Sequence, residues 1–239
     1  MNHAHPGIWE FSDRVAYLQQ RIDALPHDGL LTALEAGCGS VSHLRFPDQA
    51  HLTGIDISQE QLTRNTMLHE KICADIHAHA FPEARFDLIM CWNVMEHLND
   101  PIQVLRNFVR WLKPGGLIII GTPNPYSAKG FVTKFTPHFV HVLLYRYVLG
   151  KKDAGQPGTE PFPTYLRWSL SPRSLKLFSR DHGLEIDTLT TYRTPWEANI
   201  RNPLCRAAWK GYTSLLAVFS LNQLDVHHSE TLAVLRKPD

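Results

Sequence analysis

The sequence predicts a doubly wound α/β fold with a mostly parallel, seven-stranded sheet, and three observations predict it. Apolar, strand-like segments alternate with helix-like segments between residues 30 and 122, which favours parallel strands joined by right-handed crossovers. The first apolar segment breaks into a glycine turn, Gly37-Cys38-Gly39, and the second ends in an acid, Asp56. The length of 239 residues suits a single domain with one self-sufficient core.

The first helix and the first five strands follow from apolar spacing. A helix is expected over 11–25, where Val15, Leu18 and Ile22 recur at helical intervals, so residues 1–28 are interpreted as an N-terminal helical cap. The next two helices are predicted at Gln59–His69 and Pro101–Leu112, with Ser58 and Asp100 as their N-caps. The predicted strands are Leu30–Ala36, Leu52–Ile57, Lys71–Ala74, Phe86–Trp92 and Leu117–Thr122.

The alternation stops after the fifth strand. Residues 123–171 hold six of the sixteen prolines, and so long a connection within a domain is usually functional or disordered. The segment leaves the carboxyl end of a strand, the edge where open α/β sheets bind ligands. We expect a lid that selects the substrate; the alternative is a surface decoration. A helix from Pro172 to about Gly183, a strand Leu184–Tyr192, a helix Pro203–Leu221 and a strand Glu230–Leu235 complete the fold.

Composition limits the partners and the compartment. The formal net charge of +1 gives no electrostatic case for nucleic acid or an anionic membrane. The N-terminus lacks the features of a signal peptide, and the apolar runs are too short or too interrupted to span a bilayer. The four cysteines lack metal-site spacing and are interpreted as free thiols in a reducing compartment. We therefore expect a cytoplasmic protein with a small-molecule substrate.

The glycine turn and the acids around it predict a nucleoside-containing cofactor. Glycines let the backbone approach a ligand, and an acid about twenty residues further on accepts hydrogen bonds from a ribose in a Rossmann-like sheet. Asp56 lies at that distance from Glu35. Ser42 stands where a dinucleotide motif requires a third glycine, and Glu35 would repel a pyrophosphate. A cationic cofactor fits this turn better than a dinucleotide does.

The pattern Glu35-x-Gly37-x-Gly39 resembles the first motif of the class I S-adenosylmethionine-dependent methyltransferases. The resemblance continues with Asp75 in KICADI, with FDLIMCWNVMEHL and with LKPGGLIIIGTPN, whereas Val41 replaces a glycine common in the family. It implies S-adenosylmethionine as the cofactor, with Asp56 at the ribose and Asp75 at the adenine. The full set of expected cofactor contacts is Glu35, Gly37, Cys38, Gly39, Asp56, Ile57, Asp75, Ile76, Cys91, Trp92 and Asn93.

His97 is the candidate catalytic residue. Imidazole titrates near neutrality and could take a proton from a substrate hydroxyl; the alternative is that His97 supports its loop or meets the cofactor. Asn93, Glu96 and His97 share the spacing of one helical face and could hold a divalent ion. A ubiquinone-pathway O-methyltransferase subfamily is similar here but carries glutamate in place of Asn93. Without that charge, we expect no metal.

The insertion supplies the candidate acceptor contacts, of which Tyr126, Tyr165 and Arg167 are favoured. The other candidates are His138, His141, Tyr145, Arg146 and Trp168. The segment PFPTYLRWS sets aromatic faces beside a guanidinium, an arrangement that suits a planar or carboxylate-bearing molecule. The favoured function is methyl transfer to a small-molecule acceptor, with oxygen preferred and nitrogen and carbon still open. Two alternatives remain: an enzyme of the same fold that cyclises or cleaves the cofactor's amino acid chain, and a non-catalytic cofactor-binding protein. Nothing in the sequence sets the oligomeric state.

Overall fold

One sheet with helices on both faces organises the chain. The structure is a computed structural model that describes residues 10–26, 29–156, 159–200, 202–221 and 223–239. Its strands are β1 Leu31–Ala36, β2 Ala50–Asp56, β3 Glu70–Cys73, β4 Phe86–Trp92, β5 Leu112–Pro123, β6 Glu185–Tyr192 and β7 Glu230–Arg236. Its α-helices are α1 Phe11–Asp23, α2 Gln59–Arg64, α3 Pro101–Trp111, α4 Ala128–Phe135, α5 His138–Leu143, α6 Pro172–Asp181 and α7 Pro203–Phe219.

The sheet has the order β3-β2-β1-β4-β5-β7-β6. The first five strands pair in parallel, while β7 runs antiparallel to both of its neighbours, β5 and β6. The strand order reverses beside β1, so the carboxyl ends of β1 and β4 flank the crevice where such sheets bind ligands. The predicted mostly parallel, seven-stranded fold is confirmed, with a long connection after the fifth strand.

The central strands are buried on both faces, which explains why their sequences are continuous apolar runs. Along β1, Leu34 and Ala36 belong to one apolar cluster, and Leu31 and Ala33 to the other. The same alternation divides the side chains of β4 and β5 between the two clusters. The core therefore lies in two layers, and it fixes the positions of the strand ends.

Several predicted boundaries differ from the structure, and two of them have a clear local reason. Helix α2 ends at Arg64 and not at His69, because Asn65 adopts an extended backbone and its buried amide donates to the hydroxyl of Ser42, at 3.2 Å. Strand β5 begins at Leu112, five residues before the predicted start, because Leu112 pairs with Phe86 before a register shift. Helices α1 and α7 each end two residues before the predicted boundary. Residues 1–9 of the predicted N-terminal cap lie outside the described part.

Candidate functional site

The turn after β1 is shaped so that only glycine fits. Gly37 has φ +70°, and its N–H donates to the carbonyl of Ile55 at 2.8 Å. A Cβ on Gly37 would lie 2.2 Å from a methyl group of Val94, which belongs to the loop after β4. Gly39, with φ +55°, donates its N–H to Oδ2 of Asp56 at 2.9 Å. The turn thus brings the ends of β1, β2 and β4 together.

Glu35 is the buried acid of this turn. The Ser42 hydroxyl donates to its carboxylate, and Asn65 in turn donates to Ser42. Burial raises the pKa of Glu35 to about 7, although the hydrogen bond from Ser42 opposes that change. A positively charged group placed beside Glu35 would favour its ionised form. The sequence analysis singled out Ser42 only because a dinucleotide motif requires glycine at that position. In the structure, Ser42 orients the carboxylate of Glu35.

The two other acids lie at successive strand ends. Asp56 accepts N–H groups from Gly39 and from Ser58, the latter at 2.9 Å. Asp75 accepts the N–H of His77 at 2.8 Å, and this bond, with the His77 ring, holds its pKa below the usual value. Between them, Ile57 leaves 79% of its surface exposed, an apolar group at the ligand edge of the sheet.

Three of the other expected contacts, Cys38, Ile76 and Cys91, can reach a ligand only through their backbone. Ile76 and Cys91 are buried in the core, and burial raises the pKa of the Cys91 thiol. Cys38 is also buried, with its thiol pKa raised to about 12 by burial and by nearby acids. The Trp92 ring packs so closely on Gly121 that an added Cβ there would lie 2.9 Å away. Asn93, with φ +53°, faces a large cavity.

A cavity of about 780 Å³ lies beyond the ends of β4 and β5. The insertion and α7 supply most of its walls, with α1 and β7 contributing one residue each. Its polar and aromatic lining residues include Arg14, Asn93, Glu96, His97, Lys129, His141, Tyr145, Phe162, Trp209, Tyr212 and Glu230. Its volume is in the range of small-molecule sites.

His97 is fixed in one tautomer at the cavity wall. Its Nδ1 lies 2.7 Å from the carbonyl oxygen of Pro163, so Nδ1 carries the proton and Nε2 is left free to accept one. Burial lowers the pKa of His97. The N–H groups of Tyr165 and Leu166 donate to the Glu96 carbonyl at 2.9 and 3.1 Å. The insertion therefore packs on the 3-10 turn Met95–His97 that follows β4.

Glu96, Lys129 and Glu230 line the cavity although none of them was expected to contact the cofactor or the acceptor. Glu96 is 4% exposed, and burial raises its pKa to about 8. Lys129 of α4 donates to Oε1 of Glu230 at 2.6 Å. Burial alone would lower the pKa of Lys129, but the negative charge of Glu230 outweighs burial and holds that pKa above its usual value. The sequence signal that could have identified Glu230 is its position as an acid at the start of the mostly apolar strand ETLAVLR.

The three expected acceptor contacts do not line this cavity. Tyr126 stacks on Trp168, with ring centroids 5.4 Å apart. Arg167 donates to the side chain of Asn99 at 2.8 Å and lies 5.5 Å from the Tyr165 ring, which is half-exposed. The aromatic side chains of this segment do lie close together, but they pack on one another and on exposed polar groups. Of the other candidates in the insertion, His141 and Tyr145 line the cavity, and Trp209 of α7 joins them.

The described part of the chain shows neither a metal-binding cluster nor a membrane-spanning helix. Among the described residues, no group of three or more His, Cys, Asp and Glu side chains could hold a metal ion. Asn93, Glu96 and His97 do share the cavity wall, as their spacing suggested. No described helix has the length and apolarity needed to cross a bilayer.

Known proteins resemble both the sequence and the fold. Residues 34–120 match the model of a methyltransferase domain. A ubiquinone biosynthesis O-methyltransferase from Pseudomonas paraeruginosa is 29% identical over 65% of this chain and 65% of its own length. The match thus spans just under two thirds of that relative.

Two solved structures share the fold at low sequence identity. The cyclase SpnF has a TM-score of 0.53 at 18% identity, covering 98% of this chain and 88% of its own. The plantazolicin methyltransferase BpumL, solved in complex with SAH, has a TM-score of 0.54 at 18% identity, covering 95% and 81%. These two likenesses show the fold alone. The matched domain and the curated relative, together with the glycine turn and the ordered acids, place the chain in the class I S-adenosylmethionine-dependent methyltransferase family, with S-adenosylmethionine as its cofactor.

Proposed function

We propose that this protein transfers a methyl group from S-adenosylmethionine to an oxygen of a small-molecule acceptor. The observation that carries the proposal is His97, a neutral imidazole whose free Nε2 belongs to the cavity wall next to the strand ends. The bound cofactor supplies the electrophilic methyl group. Support for oxygen comes from the relative named as an O-methyltransferase.

The cofactor end of the site fits a cationic nucleoside. Glu35, kept partly protonated by burial, suits a ligand whose positive charge would draw it into the ionised form. Gly37 and Gly39 leave room for close backbone approach, and Asp56 offers a carboxylate to the ribose hydroxyls. The exposed Ile57 can cover one face of a base, and Asp75 can accept from its amino group.

The proton of the acceptor hydroxyl goes to Nε2 of His97. Because burial lowers the pKa of His97, the ring is neutral at pH 7 and able to act as a base. Glu96, whose Oε1 lies 3.9 Å from Nε2, is largely protonated at that pH because burial raises its pKa to about 8. Because Glu96 is uncharged at this pH, it does not stabilise the protonated form of His97.

The acceptor pocket combines an apolar wall with charged groups. Phe162, Trp209 and Tyr212 offer aromatic faces, and Val132, Leu144, Val148 and Ile200 add aliphatic surface. Both members of the Lys129–Glu230 ion pair belong to this lining, which also includes Arg14 and Glu160. An acceptor with a ring or an apolar body and one polar end matches these walls.

The test combines a methyl-transfer assay with a pH profile. Purified protein, methyl-labelled cofactor and a panel of phenols and catechols should give O-methylated product. His97→Ala should lower kcat/KM by about 10²- to 10⁴-fold at pH 7 and less at high pH, where the acceptor ionises unaided. The acidic limb of the wild-type profile should lie below pH 6.5, the ordinary imidazole value, because burial lowers the pKa of His97.

Cofactor affinity serves as the control, because His97→Ala leaves the glycine turn and its acids intact. Full activity of this variant at every pH would remove His97 from the mechanism. Cofactor consumed without any acceptor would favour cyclisation or cleavage of its amino acid chain. Binding without turnover across oxygen, nitrogen and carbon acceptors would favour a non-catalytic role.

A further inference from the structure

Two buried polar side chains support the acid that precedes the glycine turn. Ser42 is 6% exposed and Asn65 is 1% exposed, so both depend on partners within the protein for their hydrogen bonds. The hydroxyl of Ser42 donates to Oε2 of Glu35, and the amide of Asn65 donates to that hydroxyl. Strand β1, the loop after it and the end of α2 each contribute one member to this polar triad of Glu35, Ser42 and Asn65.

The amide of Asn65 has one orientation that fits its neighbours. Its Oδ1 accepts the N–H of Met67 at 3.2 Å, and its Nδ2 lies 3.4 Å from the carbonyl oxygen of Cys38. A flipped amide would set an oxygen against the Cys38 carbonyl and an NH₂ group against the N–H of Met67. The nitrogen of the Asn65 amide is therefore the atom that faces Ser42.

This orientation gives the Ser42 hydroxyl a direction. A hydroxyl has one proton to donate, and a donor from Asn65 already meets the Ser42 oxygen. The proton of Ser42 therefore points to Oε2 of Glu35, its acceptor in the structure. Within the described part of the chain, no hydrogen-bond donor meets the other oxygen, Oε1, which leaves that oxygen for a ligand.

The ionisable groups around Glu35 do not neutralise it. The Cys38 thiol stays protonated at pH 7, because burial together with Glu35 and Asp56 raises its pKa to about 12, and Lys71 opposes this only in part. Among the described residues, Glu35 has no ion-pair partner. Burial therefore raises the pKa of Glu35 to about 7, and the hydrogen bond from Ser42 acts in the opposite direction.

We propose that Ser42 and Asn65 are positioning residues for the cofactor, which hold the carboxylate of Glu35 ready for the ammonium group of S-adenosylmethionine. Ser42 fixes one carboxylate oxygen and favours the ionised form, and Asn65 directs Ser42. The proton that Glu35 carries in part of the free protein leaves to solvent when the ammonium group binds. This inference rests on the proposed contact between Glu35 and the cofactor, and it does not require an oxygen acceptor.

The test is calorimetric titration of the full chain with S-adenosylmethionine, in buffers of different ionisation enthalpy, which counts the protons released. At pH 7 the wild-type protein should release about half a proton, because a group with a pKa of about 7 is half protonated there. Ser42→Ala should release closer to one proton and bind about tenfold more weakly, because it loses a hydrogen bond to the ionised carboxylate. The weakening should shrink as the pH rises. Ser42→Thr, which keeps a hydroxyl, should restore both quantities.

A double-mutant cycle tests whether Asn65 acts through Ser42. Asn65→Ala alone should weaken cofactor binding and raise the proton release, because the hydroxyl of Ser42 is then free to turn away from Glu35. In the Ser42→Ala background, the same change should add little to either quantity. Equal effects of Asn65→Ala in both backgrounds would show that Asn65 supports only the end of α2. Denaturant unfolding of every variant confirms that the titrated protein is folded.

Thr53→Val is the matched control for removing a buried hydroxyl. Thr53 of β2 is fully buried, and its hydroxyl donates to Oε2 of Glu70 at 2.8 Å, so the variant loses the same kind of bond at another carboxylate. It should leave cofactor affinity and proton release unchanged. A second control is the ligand 5′-methylthioadenosine, which lacks the amino acid chain. It should bind wild-type protein and Ser42→Ala equally well.

Three results would overturn the proposal. The first is a Ser42→Ala variant with wild-type affinity and proton release. The second is equal weakening of S-adenosylmethionine and 5′-methylthioadenosine, and the third is a loss of affinity that is the same at every pH. Glu35→Gln with full cofactor affinity would remove the acid itself from the site. The proposed transfer to oxygen can stand in each of these cases, because its test depends on His97.

Discussion

The cofactor side and the acceptor side of this molecule are built in different ways. On the cofactor side, each polar group lies within a few residues of a strand end, and the parallel sheet brings those ends to one edge. On the acceptor side, the loop after β4 supplies Asn93, Glu96 and His97, but most of the lining comes from the insertion and α7, which meet only by packing. Sites at strand ends are therefore specified by local sequence, whereas a pocket walled by helices depends on how distant segments dock.

Gly37→Ala should have the largest effect, and it tests the cofactor side. The variant combines a left-handed backbone with a Cβ 2.2 Å from Val94, so we expect an unfolding free energy lower by about 2–4 kcal/mol and loss of cofactor binding. Gly183→Ala is the matched control, because Gly183 has φ +66° with nothing within 4 Å of its added Cβ. It should cost about 1–2 kcal/mol and spare binding.

Calorimetric titration of the cofactor and denaturant unfolding measure the two effects. Adding Val94→Ala to Gly37→Ala should recover part of the stability, since it removes the methyl groups in the way. Equal costs at Gly37 and Gly183 would show that the turn is not crowded. The close meeting of the β1 and β4 ends would then have no role in cofactor binding.

Lys129→Met should have the next largest effect, confined to the acceptor side. Loss of the ammonium leaves the buried carboxylate of Glu230 unpaired, which should lower the unfolding free energy by about 1–3 kcal/mol. We expect the acceptor KM to rise at least about tenfold while cofactor affinity is unchanged, because a charge-assisted contact is lost.

Adding Glu230→Gln separates the two consequences. The double variant should regain stability, because the unpaired charge is gone, but it should keep the raised KM. Steady-state kinetics and chemical unfolding follow the two quantities. A double variant with normal KM would reduce the Lys129–Glu230 pair to a purely structural contact.

Tyr165→Ala and Arg167→Ala should have the smallest effects. Neither side chain lines the cavity, and the N–H of Tyr165 that donates to Glu96 is retained in the alanine variant. Changes at exposed side chains of this kind usually stay within about 0.5 kcal/mol, so turnover should change by no more than about twofold. A tenfold loss of turnover at unchanged cofactor affinity would restore both residues as acceptor contacts and extend the acceptor side beyond the cavity.

The features that the sequence could predict lie at the strand ends of the cofactor side, and those that it could not predict depend on how distant segments dock. The approximate strand positions, the insertion point, the glycine turn and the place of Asp56 at a strand end were accessible because period, glycine and strand-end acids are local signals. The support that Ser42 and Asn65 give to Glu35 was not, since these residues meet only after α2 ends early.

The bond between His97 and Pro163 joins residues 66 positions apart. One member belongs to the loop after β4, and the other belongs to the segment that covers the cavity. An insertion that moved away would take the Pro163 carbonyl with it, and the imidazole would lose the partner that sets its tautomer. The proposed base therefore keeps the tautomer that catalysis needs only while the insertion is in place, so the proposed methyl transfer requires the closed form.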